Sequence, residues 1–548
     1  MKTKKLMTLL MAVIMLLSCL VGCGTPDDSK TTVAPSNQTT GAGTTDAGTT
    51  EAETKSLFNE PGTLPIVNET VTLKVITVDQ NNPNTGNKTS NSKIWAWLEE
   101  KTGVHFEVES YPAEELKQKL PLIMSTPDEM PDLLFRCNLS ASDILNYGIN
   151  GQILMLDDLL EEYAPNIQEC FDTVNGMYGA SVAADGHFYS LPSYNASVAR
   201  IFGTLNQQYL DNVGMKAPTT FEELYEVFKA IQAHDDPNGD GIKNNEFCWS
   251  DEYSEFRRLA MQMGGLNCYW PWNGCLFDSD GDEVFFALTS DRYKELLTWL
   301  NKFYEEGMID PETFTQTMDE ARAKFAENRS FLKQSIADPE NKAWNGVEGD
   351  FPVALKINKE DTPLITIGAG YQTDIGAVSA YTKYPEVCVM VMDFLFSEEG
   401  SQMACFGMEG VDYTVKSKDP LWVLDIDAEH GAGESKSAYA VCVPRWRRDD
   451  WKKGTPTATN AAIAELVADY GKFAFQNYLK FTSEESDAIA TYSADLGLYC
   501  DDYFVGFVNG TYDIEKDWDA YVAECKKMKS EELTAVYQQA YNRFFGVK

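Results

Sequence analysis

The sequence predicts an α/β fold in which a mainly parallel sheet is flanked by helices. Residues 71–78, 104–108 and 132–135 are rich in β-branched or alternating apolar side chains, which is typical of buried strands. Between them, residues 94–101 and 116–124 carry apolar side chains at helical spacing. Strands that alternate with helices form parallel sheets, and such sheets bind ligands beyond the carboxyl ends of their strands.

Later segments extend this pattern. Residues 185–192 predict a turn and a strand, and Thr220 with Glu223 forms the Thr-x-x-Glu pattern of a capping box at the start of a helix. Residues 293–304 predict a helix, and residues 375–395 predict a strand followed by a helix. We expect the last third of the chain to be mainly helical.

Composition limits the function classes. The chain has 548 residues, of which 43% are hydrophobic and 12% aromatic, so it is globular and long enough for two or three domains or lobes. Its formal net charge is −39. Such a charge argues against nucleic acid and against an anionic membrane surface as ligands. Beyond the N-terminus, no apolar run is long enough to span a membrane.

The first 22 residues have the organisation of a secretory signal. Lysines among residues 2–5 precede an apolar run at 6–21, which is too short to favour a membrane span. Cys23 follows Gly22 and resembles the modified cysteine of bacterial lipoproteins, whose thiol carries a diacylglycerol lipid. Cys19 is a competing site after Ser18, although the leucine before that small residue, Leu17, suits the pattern less well. An ordinary secretory signal with a chance cysteine is the alternative interpretation.

Residues 23–56 have the composition of a tether. They are mostly Thr, Ser, Ala, Gly, Asp and Glu, and they cannot bury enough apolar surface to offset the entropy of ordering. A flexible chain of this length spans about 30 Å on average. We therefore expect a folded body that stands away from a membrane and is attached to it through the lipid alone.

Cysteines and histidines give no metal-finger pattern. The chain has 12 cysteines and 4 histidines, without a CxxC pair and without histidines at i, i+4 spacing. Export would permit disulfides among the ten cysteines after Cys23. Because these cysteines are scattered, we expect most of them to be buried free thiols.

Residues 236–246 match the start of an EF-hand-type calcium loop. Oxygen-bearing side chains occupy positions 1, 3 and 5, and a glycine at position 6 permits the sharp turn. Position 12 is Phe247, so a bidentate glutamate would come from position 11 instead. The alternative interpretation is an Asx-rich turn that needs no metal. The expected calcium ligands are the side chains of Asp236, Asn238, Asp240, Asn244 or Asn245, and Glu246, with the carbonyl of Ile242.

Several segments together resemble one protein family over residues 71–541. The segments are residues 102–104, 130–132, 156–160, 163–166, 185–192, 217–220, 236–246, 300–312, 383–386, 397–400 and 407–413. In order and number they are similar to the lipoprotein solute-binding subunits of bacterial ABC sugar importers, in the branch that handles oligosaccharides.

This resemblance implies a periplasmic-binding-protein-like fold of two α/β lobes joined by hinge strands. A sugar would bind between the lobes, and their closure would signal the permease subunits of an ABC transporter. The resemblance also implies a monomer without catalytic residues, a structural Ca²⁺ in some members, and a location on the extracellular face of the cell membrane. We assign residues 57–198 and 372–415 to the first lobe, and residues 199–371 and 416–548 to the second.

Sugar sites need aromatic platforms and polar groups at fixed positions. Trp270 and Trp272 lie in a glycine-flanked loop and are the first candidates for stacking on a ligand, with packing across the lobe surface as the alternative. Further candidates lie near the expected hinge crossings or beyond strand ends, with hinge or core packing as their alternative. They are Tyr194, Asn195, Tyr371, Asn82, Arg136, Asn138, Trp344 and Trp446.

Two other function classes compete with this interpretation. An exported glycan-active enzyme would need two carboxylates across a cleft, and 84 acidic residues leave that open. However, the sequence has no Gly-x-Ser-x-Gly elbow, no His-Glu-x-x-His motif and no phosphate loop. A lipoprotein that binds peptides or other solutes, or that adheres to surfaces, is the second rival.

Overall fold

A computed structural model describes residues 56–79, 88–174, 176–195, 200–268, 274–337, 349–368, 370–417, 422–426, 443–448, 451–453 and 458–547. The strands in these ranges are β1 (Thr72–Val78), β2 (His105–Tyr111), β3 (Leu133–Phe135), β4 (Ser190–Asn195), β5 (Arg200–Asn206), β6 (Phe247–Trp249), β7 (Phe277–Asp280), β8 (Glu283–Phe286), β9 (Ser330–Ala337), β10 (Asp350–Val353), β11 (Ile365–Ile367), β12 (Tyr371–Val378), β13 (Tyr413–Ser417), β14 (Trp422–Ile426), β15 (Arg445–Arg447), β16 (Trp451–Lys453) and β17 (Gly471–Phe473).

Helices connect most of these strands and form the C-terminal part. They are α1 (Lys93–Thr102), α2 (Ala113–Met124), α3 (Ala141–Ile149), α4 (Asp157–Tyr163), α5 (Pro165–Thr173), α6 (Met177–Ser181), α7 (Gln207–Val213), α8 (Phe221–Gln232), α9 (Tyr253–Met263), α10 (Asp291–Glu305), α11 (Met318–Ala326), α12 (Pro385–Phe396), α13 (Glu398–Phe406), α14 (Ala458–Tyr470), α15 (Ser483–Val508), α16 (Ile514–Lys527) and α17 (Ser530–Phe545).

The first five elements form the predicted strand–helix–strand–helix–strand unit. Strand β1 pairs in parallel with β2 and with β3, which places Val75 opposite both Val108 and Leu133. Helix α1 begins where the Ser92 side chain accepts a hydrogen bond from the Ile94 N–H. It ends before Gly103, whose left-handed backbone (φ 75°) closes the helix without a Cβ clash. The sequence prediction for this region is confirmed.

The predicted capping box at α8 forms in a different way. The Thr220 hydroxyl accepts a hydrogen bond from the Glu223 N–H at 3.3 Å, as predicted. The Glu223 carboxylate, however, accepts from the N–H and the hydroxyl of Thr219, both at 2.8 Å. These two donors lower the pKa of Glu223. Thr219 therefore takes the place of Thr220 as the donor to the Glu223 carboxylate.

Two six-stranded sheets organise the described part of the chain. The first has the order β15-β4-β12-β3-β1-β2, and the second has β17-β11-β5-β9-β6 with β10 also paired to β5. Both sheets are mixed, because β12 runs antiparallel to β3 and β4, and β5 runs antiparallel to β9 and β11. Each sheet has its own large apolar core, with helices packed against it.

The chain passes between the two sheets at two neighbouring places. Strand β4 ends at Asn195 in the first sheet and β5 begins at Arg200 in the second. Strand β11 ends at Ile367 in the second sheet and β12 begins at Tyr371 in the first. The predicted division into lobes differs from the sheets at one strand. β15, assigned to the second lobe by its position in sequence, lies in the first sheet because it pairs in parallel with the edge of β4.

Nine cysteines within the described ranges are free thiols, and eight of these nine are buried. This agrees with the expectation for most of the cysteines after Cys23. Among the described residues, no helix is sufficiently long and apolar to cross a membrane.

Candidate functional site

Two tyrosines meet where the chain crosses between the sheets. Tyr371 lies directly opposite Tyr194 in the β4–β12 pair, and their ring centroids are 5.4 Å apart. The Tyr371 ring also meets Phe473 and Tyr478, from the second-sheet side, edge to face at 6.2 and 6.0 Å. Tyr371 therefore packs against both lobes. Asn195 is the last residue of β4, and its side chain lies outside the described set.

Polar residues follow β3 at its carboxyl end, as the sequence predicted. Arg136 is half-buried and its N–H donates to the Ile375 carbonyl at 2.6 Å, whereas Asn138 is exposed. Both have a left-handed backbone, with φ of 47° and 56°. This conformation is unfavourable for a residue with a Cβ, and it occurs preferentially at functional sites.

A buried ion pair that the sequence did not reveal lies beside this crossing. The Lys480 ammonium group is 3.3 Å from Asp374 Oδ1, and the two side chains are 8% and 2% exposed. Asp374 Oδ1 also accepts a hydrogen bond from the Ser190 hydroxyl at 2.7 Å. Asp374 lies in an irregularity of β12 with φ of 60°. Since Lys480 follows the second sheet's β17, the pair joins the two lobes.

The lobes also touch through backbone. A Cβ added to Gly179 on α6 would lie 2.0 Å from the Phe544 carbonyl oxygen on α17, so only glycine permits this approach. Helix α17 belongs to the core of the second sheet, whereas α6 leads into β4 of the first. The two lobes are thus in direct contact beside the crossing.

The remaining candidates differ in whether the structure describes them. Trp446 on β15 is 2% exposed within the core of the first sheet, with the Arg448 guanidinium 3.9 Å from its ring centre. Packing accounts for this side chain. Trp270, Trp272, Trp344 and Asn82 lie outside the described residues.

The described base of the Trp270–Trp272 loop is held by two helices. The Arg257 guanidinium on α9 donates to the Gly274 carbonyl at 3.5 Å and pairs with Asp501 on α15 at 2.6 Å. Gly274 has φ of 73°, and a Cβ there would lie 2.3 Å from the Gly497 carbonyl oxygen. Gly274, the first described residue after Trp270 and Trp272, is therefore held by α9 and α15 of the second lobe.

Residues 236–246 bring three carboxylates together. One oxygen each of Asp236, Asp240 and Glu246 lies within 4.8 Å of the others. The two oxygens of Asp236 accept hydrogen bonds from the N–H groups of Asp240 (3.1 Å) and Gly241 (3.0 Å). The left-handed backbone of Gly241 (φ 86°) makes this turn. Three converging carboxylates repel one another unless a cation or protons lie between them.

The polar atoms of this loop fit a hard cation. Glu246 Oε1 and Asn245 Oδ1 are buried and have no hydrogen-bond partner among the described residues. Burial raises the pKa of Glu246, whereas the hydrogen bond from the Ile242 N–H lowers the pKa of Asp240. Buried oxygens without donors are costly, and Ca²⁺ takes oxygen ligands of these types.

The amides around the carboxylates differ in position. Asn238 is buried, and its Oδ1 accepts from the Asp240 N–H at 3.0 Å. Asn245 donates to Asp240 Oδ2 at 3.2 Å. Asn244 is exposed with φ of 57°, and Ile242 is 58% exposed. Of the two asparagines left open by the sequence, Asn245 is the one in contact with the carboxylates.

Residues 82–402, more than half of the chain, match the family described as bacterial extracellular solute-binding protein. The chain belongs to this family. This solute-binding protein is 25% identical over 478 residues to the fructooligosaccharide ABC transporter substrate-binding protein FusA of Streptococcus pneumoniae. That alignment covers 82% of the chain and 86% of the relative. Family membership confirms that the protein binds solutes and is not an enzyme.

Solved structures support the fold of this solute-binding protein. An extracellular solute-binding protein from Bifidobacterium longum subsp. infantis is similar with a TM-score of 0.70 at 18% identity, over 87% of this chain and 99% of that one. FusA in complex with kestose and its EF-hand mutant in complex with fructo-nystose give 0.63 and 0.62. Each is 21% identical and covers 87% of this chain and 100% of FusA. The predicted two-lobed α/β fold is confirmed.

The Asp374–Lys480 pair predicts a measurable coupling between the lobes. Lys480→Met leaves the Asp374 carboxylate buried without its cation, and we expect the free energy of unfolding to fall by about 3 kcal/mol. Adding Asp374→Asn should recover part of this loss, because the buried charge is then gone. Urea denaturation at pH 7 measures both effects.

The matched control is Lys101→Met, which removes the surface pair with Glu399 (2.7 Å, side chains 34% and 51% exposed). We expect this change to alter stability by less than about 1 kcal/mol. Equal small losses for Lys480→Met and Lys101→Met would contradict a buried pair that couples the lobes.

Proposed function

We propose that this solute-binding protein captures an oligosaccharide between its lobes and delivers it to the permease subunits of an ABC transporter. The observation that carries the proposal is family membership, together with similarity over most of both chains to a fructooligosaccharide-binding subunit. The paired tyrosines at the crossing and the tryptophan loop on the second lobe offer the apolar faces that sugar rings require.

Capture would be a change of conformation rather than a chemical step. Ligand contacts made only when the lobes are closed shift the equilibrium towards the closed state. The candidate contacts come from both sides of the crossing. Arg136, Asn138 and Tyr194 belong to the first lobe, Trp270, Trp272 and Trp344 to the second, and Tyr371 touches both. A permease that recognises the closed arrangement would then bind only the solute-binding protein that carries a ligand.

An oligosaccharide panel tests the proposed ligand class, beginning with fructooligosaccharides. A ligand at 100 times its Kd stabilises the protein by about 2.7 kcal/mol, which raises the melting temperature by a few degrees. We expect Trp270→Ala or Trp272→Ala to weaken binding at least tenfold by calorimetry. Trp97→Ala is the control, because that ring stacks on Phe394 at 5.4 Å within the first lobe.

Small-angle scattering distinguishes binding with and without closure. The radius of gyration should fall when the ligand saturates the protein. Superimposable profiles would reject closure, whereas stabilisation by peptides and by no sugar would reject the oligosaccharide class.

We infer that the loop of residues 236–246 binds a structural Ca²⁺. The carboxylates of Asp236, Asp240 and Glu246 and the amide oxygens of Asn238 and Asn245 supply the hard ligands, with the Ile242 carbonyl and Asn244 completing the expected set. The buried, unpartnered Glu246 Oε1 supports this assignment. The existence of an EF-hand mutant of FusA supports it further, since that relative carries a motif of the same name.

Calcium dependence gives this assignment a sharp test. Asp236→Ala and Asp240→Ala should lower the melting temperature in calcium by several degrees, and should change it little in a chelator, because the bound ion contributes only when its ligands are present. The control is Asp235→Ala, because Asp235 lies immediately before the loop and, among the described residues, its carboxylate makes only an exposed pair with Lys243. Equal shifts in calcium and in chelator would rule out the metal.

We propose that Cys23 carries a diacylglycerol lipid and anchors the protein to the outer face of the cell membrane. The signal-like residues 1–22 and the small residue before Cys23 support this, and membership of an extracellular family supports export. Residues 1–56 would then be a cleaved signal and a tether, and the folded body a monomer that meets its permease at the membrane.

Cys23→Ser removes the thiol that would carry the lipid. In cells fed a labelled fatty acid, we expect label in the wild-type protein alone, and release of the variant into the medium. A Cys19→Ser variant should keep both label and membrane association. Label that depends on Cys19 would move the site, and a wild-type protein without label would leave an ordinary secretory signal.

A further inference from the structure

Two cysteines face each other inside the C-terminal helical hairpin. Cys500 on α15 and Cys525 on α16 have Sγ atoms 3.8 Å apart, and both side chains are fully buried. The hairpin is held in register by Tyr499 of α15, whose ring stacks on Tyr521 of α16 at 5.7 Å and 12°. A disulfide has its sulfurs about 2.05 Å apart, so each sulfur needs to move by only about 1 Å.

Other buried thiols have partners of a different kind. Cys248 directs its Sγ to the Phe228 carbonyl at 3.5 Å, and Cys275 directs its Sγ to the Ser493 carbonyl at 3.6 Å. Such contacts satisfy a weak S–H donor within a core. Cys500 and Cys525 instead place two oxidisable sulfurs in van der Waals contact.

The pair is connected to the scaffold of the tryptophan loop. The residue after Cys500 is Asp501, which pairs with Arg257, and Arg257 in turn donates to the Gly274 carbonyl. One helical turn before Cys500, the Gly497 backbone contacts Gly274. A covalent link between α15 and α16 would therefore restrain the helix that contacts Gly274.

We propose that Cys500 and Cys525 form a disulfide when the exported chain folds in oxidising surroundings, and that this bond restrains α15 at its contact with Gly274. The oxidant is an external disulfide. One thiolate attacks it to form a mixed disulfide, and the second thiolate then attacks the cysteine sulfur and releases the remaining thiol. The pair loses two electrons and two protons, and the external disulfide becomes two thiols. Exchange takes place before α16 packs, since the folded pair is inaccessible to solvent.

Mass mapping of the full chain tests the proposal without any substitution. The protein is refolded in oxidised or in reduced glutathione, denatured, alkylated and digested. We expect the oxidised protein to be lighter by about 2 Da before alkylation, to take up two fewer alkyl groups, and to yield one peptide pair that links Cys500 to Cys525. Equal alkylation of the two samples, or a link between other cysteines, would overturn the proposal.

Thermal unfolding then tests what the bond does. The oxidised wild-type protein should melt about 5 °C above the reduced protein, because the bond restricts the unfolded chain. Cys525→Ala should abolish this difference, and Cys248→Ala should keep it, since both remove a buried thiol but only the first removes a member of the pair. A difference that survives in Cys525→Ala would show that the stabilisation comes from elsewhere.

Discussion

One pair of antiparallel strands runs through both sheets, and the arrangement of the molecule depends on it. Strands β4 and β12 are neighbours in the first sheet, and the strands that continue them, β5 and β11, are neighbours in the second. Pairing places Tyr371 opposite Tyr194 on one side and Ile367 opposite Arg200 on the other. Because backbone hydrogen bonds fix both registers, the position of each lobe is referred to the same pair of strands.

Unfavourable backbone conformations gather at the two candidate sites. Six non-glycine residues in the described ranges have positive φ. Arg136, Asn138 and Asp374 lie beside the crossing between the sheets. Asn244 lies in the loop of residues 236–246, which we call the carboxylate loop, and Asn328 packs against it. Each costs roughly 1 kcal/mol or more, so the surrounding contacts must impose it. The buried Asp374–Lys480 pair and the Asn238–Asn328 hydrogen bond (3.2 Å) are contacts of this kind.

Local patterns made part of the structure predictable from sequence. The β1–β3 unit and the carboxylate loop are contiguous, and their periodicity or spacing is visible in a short window. The Asp374–Lys480 pair joins residues 106 positions apart, and neither lies in a motif, so only the fold brings them together. Strand β15 is three residues long, and its alternating Arg-Trp-Arg sequence does not show that both of its faces are buried. Trp446, which the sequence analysis named as a candidate for ligand contact, lies in this strand and packs in the core of the first sheet.

The contact between Gly179 and the Phe544 carbonyl limits how the lobes can move. A side chain can change rotamer to keep contact while two bodies slide, but two backbones at this distance cannot adapt in that way. Sliding would either separate them or make them clash, whereas rotation about the contact keeps them together. In the proposed closure, this contact would lie close to the axis about which the lobes rotate. A small change of angle there becomes a displacement that grows with distance along the lobes, so residues farthest from α6 and α17 travel most.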